Sequence, residues 1–135
     1  MNRLPGTLVK MERDGGMILM QVMAMGCTFT AMLLTGSEEP CRWQVGDAVT
    51  LLFKESEVSL AKGLSGLTSL RNRHGGCIEE IQRGRLISRV IFRFQESRLS
   101  SIITTGSVER LSLQVGDEVE WLVKANEMAV EGREE

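Results

Sequence analysis

The stretch Thr104-Thr-Gly-Ser-Val-Glu-Arg-Leu-Ser-Leu-Gln-Val-Gly-Asp-Glu-Val-Glu-Trp-Leu-Val-Lys-Ala125 determines how this chain is organised, because a weaker copy of it lies earlier in the sequence. Ser107 recurs as Ser37 and Lys124 as Lys54, and the residue numbers of both pairs differ by 70. The turn sequence Gln-Val-Gly-Asp occupies residues 44–47 and again residues 114–117. This interval is longer than the usual period of solenoid repeats. The pattern therefore predicts a tandem duplication of one small domain.

The duplication predicts a first domain over residues 1–63 and a second over residues 67–131, joined by a linker rich in small residues. Domains of about 65 residues bury too little surface to be more than marginally stable alone. We therefore expect the two copies to bury surface against each other, or the chain to form oligomers.

Short apolar runs separated by glycine-containing turns predict strands in both copies. In the strand before Lys124, the alternation places Val119, Trp121 and Val123 on the core face and the lysine away from it. Ser107 is suited to cap a helical turn, and residues 37–43 predict a similar turn in the first copy. The expected fold is all-β, with two tandem five-stranded barrels of the oligonucleotide/oligosaccharide-binding (OB) kind and one short helical turn in each.

The formal net charge of −2 conceals a basic middle region, since residues 71–98 hold seven arginines against three glutamates. Such a region attracts nucleic acid or small oxyanions, although a solvated strand face has the same composition. His74 is the only histidine and no nucleophile or nucleotide-binding motif is present, so we expect no enzyme. The three cysteines show no metal-binding spacing and predict reduced thiols in a cytoplasmic protein.

Residues 15–37 carry no charged side chain and include a methionine-rich run, which makes them the one candidate for a membrane span. The equivalent segment of the second copy contains Arg85, Arg89 and Arg93. Because two copies of one fold are not expected to divide between lipid and water, we predict no membrane span. Met17, Met20, Met23, Met25 and Cys27 offer soft ligands for Cu(I), but core packing is the simpler role for methionine.

Three short motifs of the second copy supply groups suited to an oxyanion: Ser69-Leu-Arg71-Asn72, Thr104-Thr-Gly-Ser107 and Lys124-Ala125. A tetrahedral dianion needs several converging donors, and guanidinium, ammonium, hydroxyl and backbone amide groups provide them. The same residues also have plain structural roles, with Ser107 as a turn cap and Arg71 and Lys124 as solvated strand residues.

These motifs resemble the Mop domain of molbindins, which belongs to the TOBE/OB-fold superfamily. The pattern of the Mop domain is Ser-Ala-Arg-Asn, then Thr-x-x-Ser, then Lys-Ala. The resemblance implies a two-Mop protein that binds molybdate or tungstate between subunits, with no organic cofactor and no metal ion ligated directly. It implies a homo-oligomer, with a trimer favoured and a dimer as the alternative, and no membrane partner. The oxyanion-binding residues carried over from the family are Ser69, Arg71, Thr104, Ser107, Lys124 and Ala125.

The first copy departs from this pattern. Met1 stands at the position of Arg71, Leu34 at that of Thr104, and Glu55 at that of Ala125. Only Ser37 and Lys54 remain as weaker candidates, and a carboxylate opposes the binding of a dianion. We therefore expect the first copy to be a scaffold.

The leading interpretation is intracellular molybdenum homeostasis, with storage and sensing both open. The alternative is an OB-type module that binds a protein or an oligonucleotide. Stacking of bases requires exposed aromatic side chains, and the alternation predicts that Phe92 and Trp121 point inward. A nucleic-acid partner is therefore the weaker interpretation.

Overall fold

The computed structural model describes residues 1–35 and 41–132. Within these ranges the chain forms ten strands, one α-helix and two short 3₁₀ helices. No helix of the described part is both long and apolar enough to cross a membrane. The strands are β1 (Asn2–Asp14), β2 (Met17–Ala24), β3 (Cys27–Leu34), β4 (Ala48–Phe53), β5 (Ser59–Ala61), β6 (Asn72–Arg83), β7 (Ile87–Phe94), β8 (Ser97–Thr104), β9 (Glu118–Val123) and β10 (Ala129–Gly132). The 3₁₀ helices span Glu55–Glu57 and Ala125–Glu127, and the α-helix α1 spans Thr105–Arg110.

The strands form two five-stranded sheets, each of which contains one strand from the other half of the chain. The first sheet has the order β10-β4-β1-β2-β3, and the second has the order β5-β9-β6-β7-β8. The short strand β5 follows the first copy in sequence but pairs with β9, while the last strand β10 pairs with β4. The two copies are therefore joined by a reciprocal exchange of their fifth strands.

The same local irregularities occur in both copies at equivalent positions. A bulge interrupts the pairing of β1 with β2 between Leu8 and Lys10, and one interrupts the pairing of β6 with β7 between Ile78 and Glu80. In the turn before β9, the Asp117 carboxylate accepts a hydrogen bond from the backbone N–H of Gln114 at 2.9 Å. The residues 44 and 47 of the first copy form the same bond. This correspondence supports the duplication predicted from the sequence.

The predicted fold class is confirmed, since the described part consists mainly of strands arranged in two five-stranded sheets. The helical turn expected in the second copy is α1. Its expected counterpart at residues 37–43 lies largely outside the described residues. The domain limits 1–63 and 67–131 stay a prediction, and β5 and β10 both pair across them.

The centre of the core lies between the two copies. Trp121 of the second copy is fully buried and stacks on Phe53 of the first, with ring centroids 5.6 Å apart. Phe29 packs against the same indole at 5.8 Å. The ring centroids of His74 and Phe29 are 4.3 Å apart. The burial of the imidazole among these rings lowers its pKa. His74 is therefore a packing residue that is neutral at pH 7.

Two asparagine side chains also connect the copies. Asn72 donates a hydrogen bond to the backbone C=O of Thr30 at 2.8 Å and accepts one from the N–H of the same residue at 2.7 Å. Asn2 forms the equivalent pair with Ser100, at 2.8 and 2.9 Å. Thr30 and Ser100 lie on the edge strands β3 and β8. Each asparagine thus satisfies backbone groups of an edge strand that belongs to the other copy.

Replacing Asn72 by alanine is expected to destabilise the protein by about 2 kcal/mol or more, because it leaves a buried N–H and a buried C=O of Thr30 unsatisfied. Urea denaturation followed by circular dichroism measures this change. Asn2→Ala, at the equivalent position, should have a similar effect. A loss below about 0.5 kcal/mol in both variants, as is usual for surface substitutions, would contradict the connecting role of these side chains.

Candidate functional site

Arg71 and Lys124 lie next to each other at the ends of two paired strands. Asn72 and Val123 are partners in the antiparallel pair of β6 and β9, so the residues that precede and follow them continue the same register. Both cationic side chains are exposed. Neither forms an ion pair with a residue in the described ranges. Two unpaired positive charges therefore stand together at this end of the second sheet.

Ala125 follows directly and begins a 3₁₀ helix, for which Lys124 is the N-terminal cap residue with an extended backbone (φ −66°, ψ 145°). Lys124 also borders an open groove of about 400 Å³ together with Leu70 and Leu122. Glu57 and Glu127 line the same groove. The chain alone thus places carboxylates as well as the lysine around this space.

Thr104 and Ser107 form a second, separate group at the start of α1. The Thr104 hydroxyl oxygen accepts a hydrogen bond from the backbone N–H of Ser107 at 3.0 Å, and the two hydroxyl oxygens are 2.8 Å apart. Thr104 is exposed and Ser107 is half-buried. Both hydroxyl groups are therefore adjacent and accessible from solvent. The cap of α1 is therefore Thr104, and the capping role predicted for Ser107 was wrong, because Ser107 lies within the helix and donates its N–H to the cap.

The two groups are far apart along the sheet of a single chain. Ile87 of β7 pairs with Thr104, and the adjacent Ser88 pairs with Arg83 at the last position of β6. Arg71 instead precedes the first residue of that strand. At about 3.3 Å per residue, the two ends of β6 are separated by roughly 36 Å along the strand. Among the described residues, no hydrogen bond or ion pair joins the two groups.

The remaining predicted site residues belong to neither of these two groups. Ser69 is exposed in the loop that precedes β6. In the first copy, Lys54 is exposed and caps the 3₁₀ helix at Glu55–Glu57, as Lys124 does in the second copy. Ser37 lies outside the described residues. Leu34, at the position of Thr104, is 80% exposed.

Glu55 turns toward the second copy rather than toward solvent. Its carboxylate oxygen Oε1 accepts a hydrogen bond from Arg89 Nε at 2.7 Å and another from the hydroxyl of Ser100. The sequence drew attention to Glu55 because it replaces the alanine that follows the lysine. It did not indicate Arg89 or Ser100 as partners of Glu55. Their counterparts in the first copy, Leu19 and Thr30, give no sign of a conserved pairing within the repeat.

The methionine-rich strand does not gather its sulfur atoms at one place. Met20 is fully buried in the core, whereas Met17 and Met23 are exposed on the other face of β2.

A separate cleft of about 670 Å³ includes Cys27 and Cys77 among its lining residues. In the part of the chain that is described, no three histidine, cysteine or acidic residues are grouped so that they could hold a metal ion.

The aromatic side chains are not arranged as a stacking surface for bases. All four phenylalanines and Trp121 are buried. Trp43, the remaining aromatic residue of the sequence, is half-buried and has the guanidinium of Arg42 5.9 Å from its ring centroid. Stacking of unpaired bases requires exposed rings within a basic groove. This distribution does not favour the oligonucleotide-binding alternative.

Residues 68–130, which make up most of the second copy, match the model of the TOBE domain family. This match confirms the superfamily predicted from the three motifs. Over the whole chain, the fold is similar to a crystal structure of the cytoplasmic molybdate-binding protein ModG with molybdate bound. The TM-score is 0.91 at 21% sequence identity, and the likeness covers 98% of this chain and 96% of that chain. No curated protein sequence matches the chain significantly.

Proposed function

We propose that this protein binds molybdate or tungstate, without catalysis, at sites assembled between copies of the chain. The observation that carries the proposal is the position of Arg71 and Lys124, which lie side by side, exposed and without an ion-pair partner among the described residues. A dianion that bridges them would gain two charge-assisted hydrogen bonds. The similarity to ModG, which is described as molybdate-binding, supports this choice of ligand.

The hydroxyl groups of Thr104 and Ser107 complete the proposed site from a second subunit. They cannot reach the cationic pair of their own chain, because β6 separates the two groups by most of its length. Ser69 and the backbone N–H of Ala125 are the further candidate donors beside the cations. We propose that a site formed in this way uses both groups of accessible donors and places the anion at a subunit contact.

Calorimetric titration with sodium molybdate tests this function, with sulfate and phosphate as controls. We expect saturable binding of molybdate at micromolar protein concentration and much weaker binding of the two control anions. Tungstate should compete with molybdate, since both are tetrahedral dianions. The absence of any heat of binding with molybdate and with tungstate would contradict the proposal.

The assembly is expected to be a homo-oligomer, with a trimer favoured over a dimer. Leu86 and Ile87 are 73% and 60% exposed beside Thr104, and exposed apolar groups of this size are suited to a subunit contact. Light scattering coupled to size-exclusion chromatography should give a mass of about three chains of 15.0 kDa each. A mass of one chain at micromolar concentration would contradict both the assembly and the shared site.

The cellular role proposed is molybdenum homeostasis in the cytoplasm, as storage or as sensing. ModG is described as cytoplasmic, and Cys27, Cys41 and Cys77 are free thiols here. Free thiols are the usual state in a reducing compartment.

A further inference from the structure

The ion pair of Glu55 and Arg89 joins the two copies on one of two equivalent sides of the molecule. The Glu55 side chain is 19% exposed and the Arg89 side chain 44%. The hydrogen bond from Ser100 lowers the pKa of the Glu55 carboxyl and the Arg89 guanidinium lowers it further, against the opposing effect of burial. The carboxylate is therefore ionised at pH 7, and one of its oxygens is held by a cation and a hydroxyl group.

The repeat shows what this arrangement replaces. The interval of 70 residues relates Glu55 to Ala125, Arg89 to Leu19 and Ser100 to Thr30. The equivalent place on the other side of the molecule thus has neither the carboxylate nor the arginine. The backbone geometry is nevertheless the same, since Thr30 and Ser100 receive equivalent asparagine side chains. Only the side that has the arginine also has an acidic residue to neutralise it.

The groups that hold the carboxylate are those that would hold a free oxyanion. Arg89 and Ser100 supply an N–H donor and an O–H donor that converge on one oxygen atom. A small open pocket of about 160 Å³ lies against both residues and is also lined by Arg98. Arg98 is itself paired with Glu79 at 3.4 Å and Glu80 at 3.3 Å.

We propose that Glu55 acts as a built-in anion that occupies a second oxyanion-binding site, formed by Arg89 and Ser100, and so prevents a free oxyanion from binding there. The identity of the excluded ligand, molybdate or tungstate, rests on the function proposed above. An incoming dianion would have to displace a tethered carboxylate and would meet its negative charge at close range. The chain therefore keeps the position at Arg89 and Ser100 closed and leaves the site at Arg71 and Lys124 for the oxyanion.

The test compares Glu55→Ala with the wild type by calorimetric titration with molybdate. The variant should bind one additional anion per chain, because Arg89 and Ser100 become available. The double variant Glu55→Ala with Arg89→Ala should lose this additional site. Glu12→Ala, which removes an equally charged and largely exposed side chain on β1, is the matched control and should leave the stoichiometry unchanged.

The outcomes separate this inference from the proposed function. If the wild type binds molybdate and Glu55→Ala binds the same number of anions, the inference is wrong and the function stands. If the wild type binds no molybdate, titration with sulfate or phosphate still tests the inference. Glu55→Ala should bind these anions, and the wild type and the double variant with Arg89→Ala should not. If Glu55→Ala does not fold, Glu55→Gln takes its place. Its neutral amide holds Arg89 and Ser100 less strongly than the carboxylate does, so a dianion should displace it and give a weaker additional site. An unchanged stoichiometry would overturn the inference.

Discussion

Replacing Lys124 by alanine is expected to weaken molybdate binding by roughly 10- to 100-fold. The variant loses one charge-assisted hydrogen bond to the anion, which contributes about 1.5–3 kcal/mol, and each 1.4 kcal/mol corresponds to a factor of ten. Arg71→Ala should have a comparable effect, because the two cations lie at adjacent strand ends. Calorimetric titration of each variant measures the loss of affinity.

The matched control for this experiment is Lys54→Ala. Lys54 occupies the equivalent place in the first copy and is exposed in the same way, but Met1 stands where Arg71 would be. We expect Lys54→Ala to bind molybdate with the stoichiometry of the wild type and with an affinity within about a factor of three of it. All three side chains are exposed, so the free energy of unfolding should change by less than about 0.5 kcal/mol in every variant. Equal losses for Lys54→Ala and Lys124→Ala would mean that the two copies contribute equally.

Much of the fold could be predicted because the sequence repeats itself. The turn at residues 114–117 and its copy at 44–47 establish two similar units, and alternation along β9 places Trp121 inside and Lys124 outside. These are local signals, determined by the turn conformation and by the period of a strand. They hold whether or not the units exchange strands.

The exchange of β5 and β10 could not be predicted, because it leaves no local signal. A strand of three or four residues has the same apolar pattern whether it pairs with its own copy or with the other one. The role of Asn72 was missed for a related reason. A motif can show that an asparagine follows Arg71, but its bonds to Thr30 exist only when two distant segments of the chain meet.

The candidate site was predicted as a set of residues, and the proposed site takes its two groups of donors from two chains. The sequence placed Arg71, Lys124, Thr104 and Ser107 in one proposed site. The fold brings the first two together and brings the last two together, at opposite ends of β6. Linear spacing does not show this separation, and only the family resemblance implied a site between subunits. Glu55 was recognised as a departure from the motif, but its bond to Arg89 requires the three-dimensional structure.

The largest expected effect on stability comes from Trp121→Ala, which should cost about 3–5 kcal/mol. Trp121 is fully buried between the copies, and its ring centroid lies 5.6 Å from that of Phe53, 5.8 Å from that of Phe29 and 5.7 Å from that of Phe92. Removing the indole leaves a cavity that neither sheet can close alone, because each sheet contains a strand of the other copy. Urea denaturation at a fixed protein concentration measures the change, because the apparent stability of any chain that associates depends on its concentration.

Trp43→Ala is the matched control, because Trp43 is half-buried and packs at the edge of the core. We expect this substitution to cost at most half as much as Trp121→Ala. We also expect each variant to unfold in one transition, with the same midpoint by intrinsic fluorescence and by circular dichroism. The reason is that the exchanged strands and the shared aromatic core make the two copies one cooperative unit. Two separate transitions, or equal losses for the two tryptophans, would show that the copies are stabilised independently and that Trp121 does not hold them together.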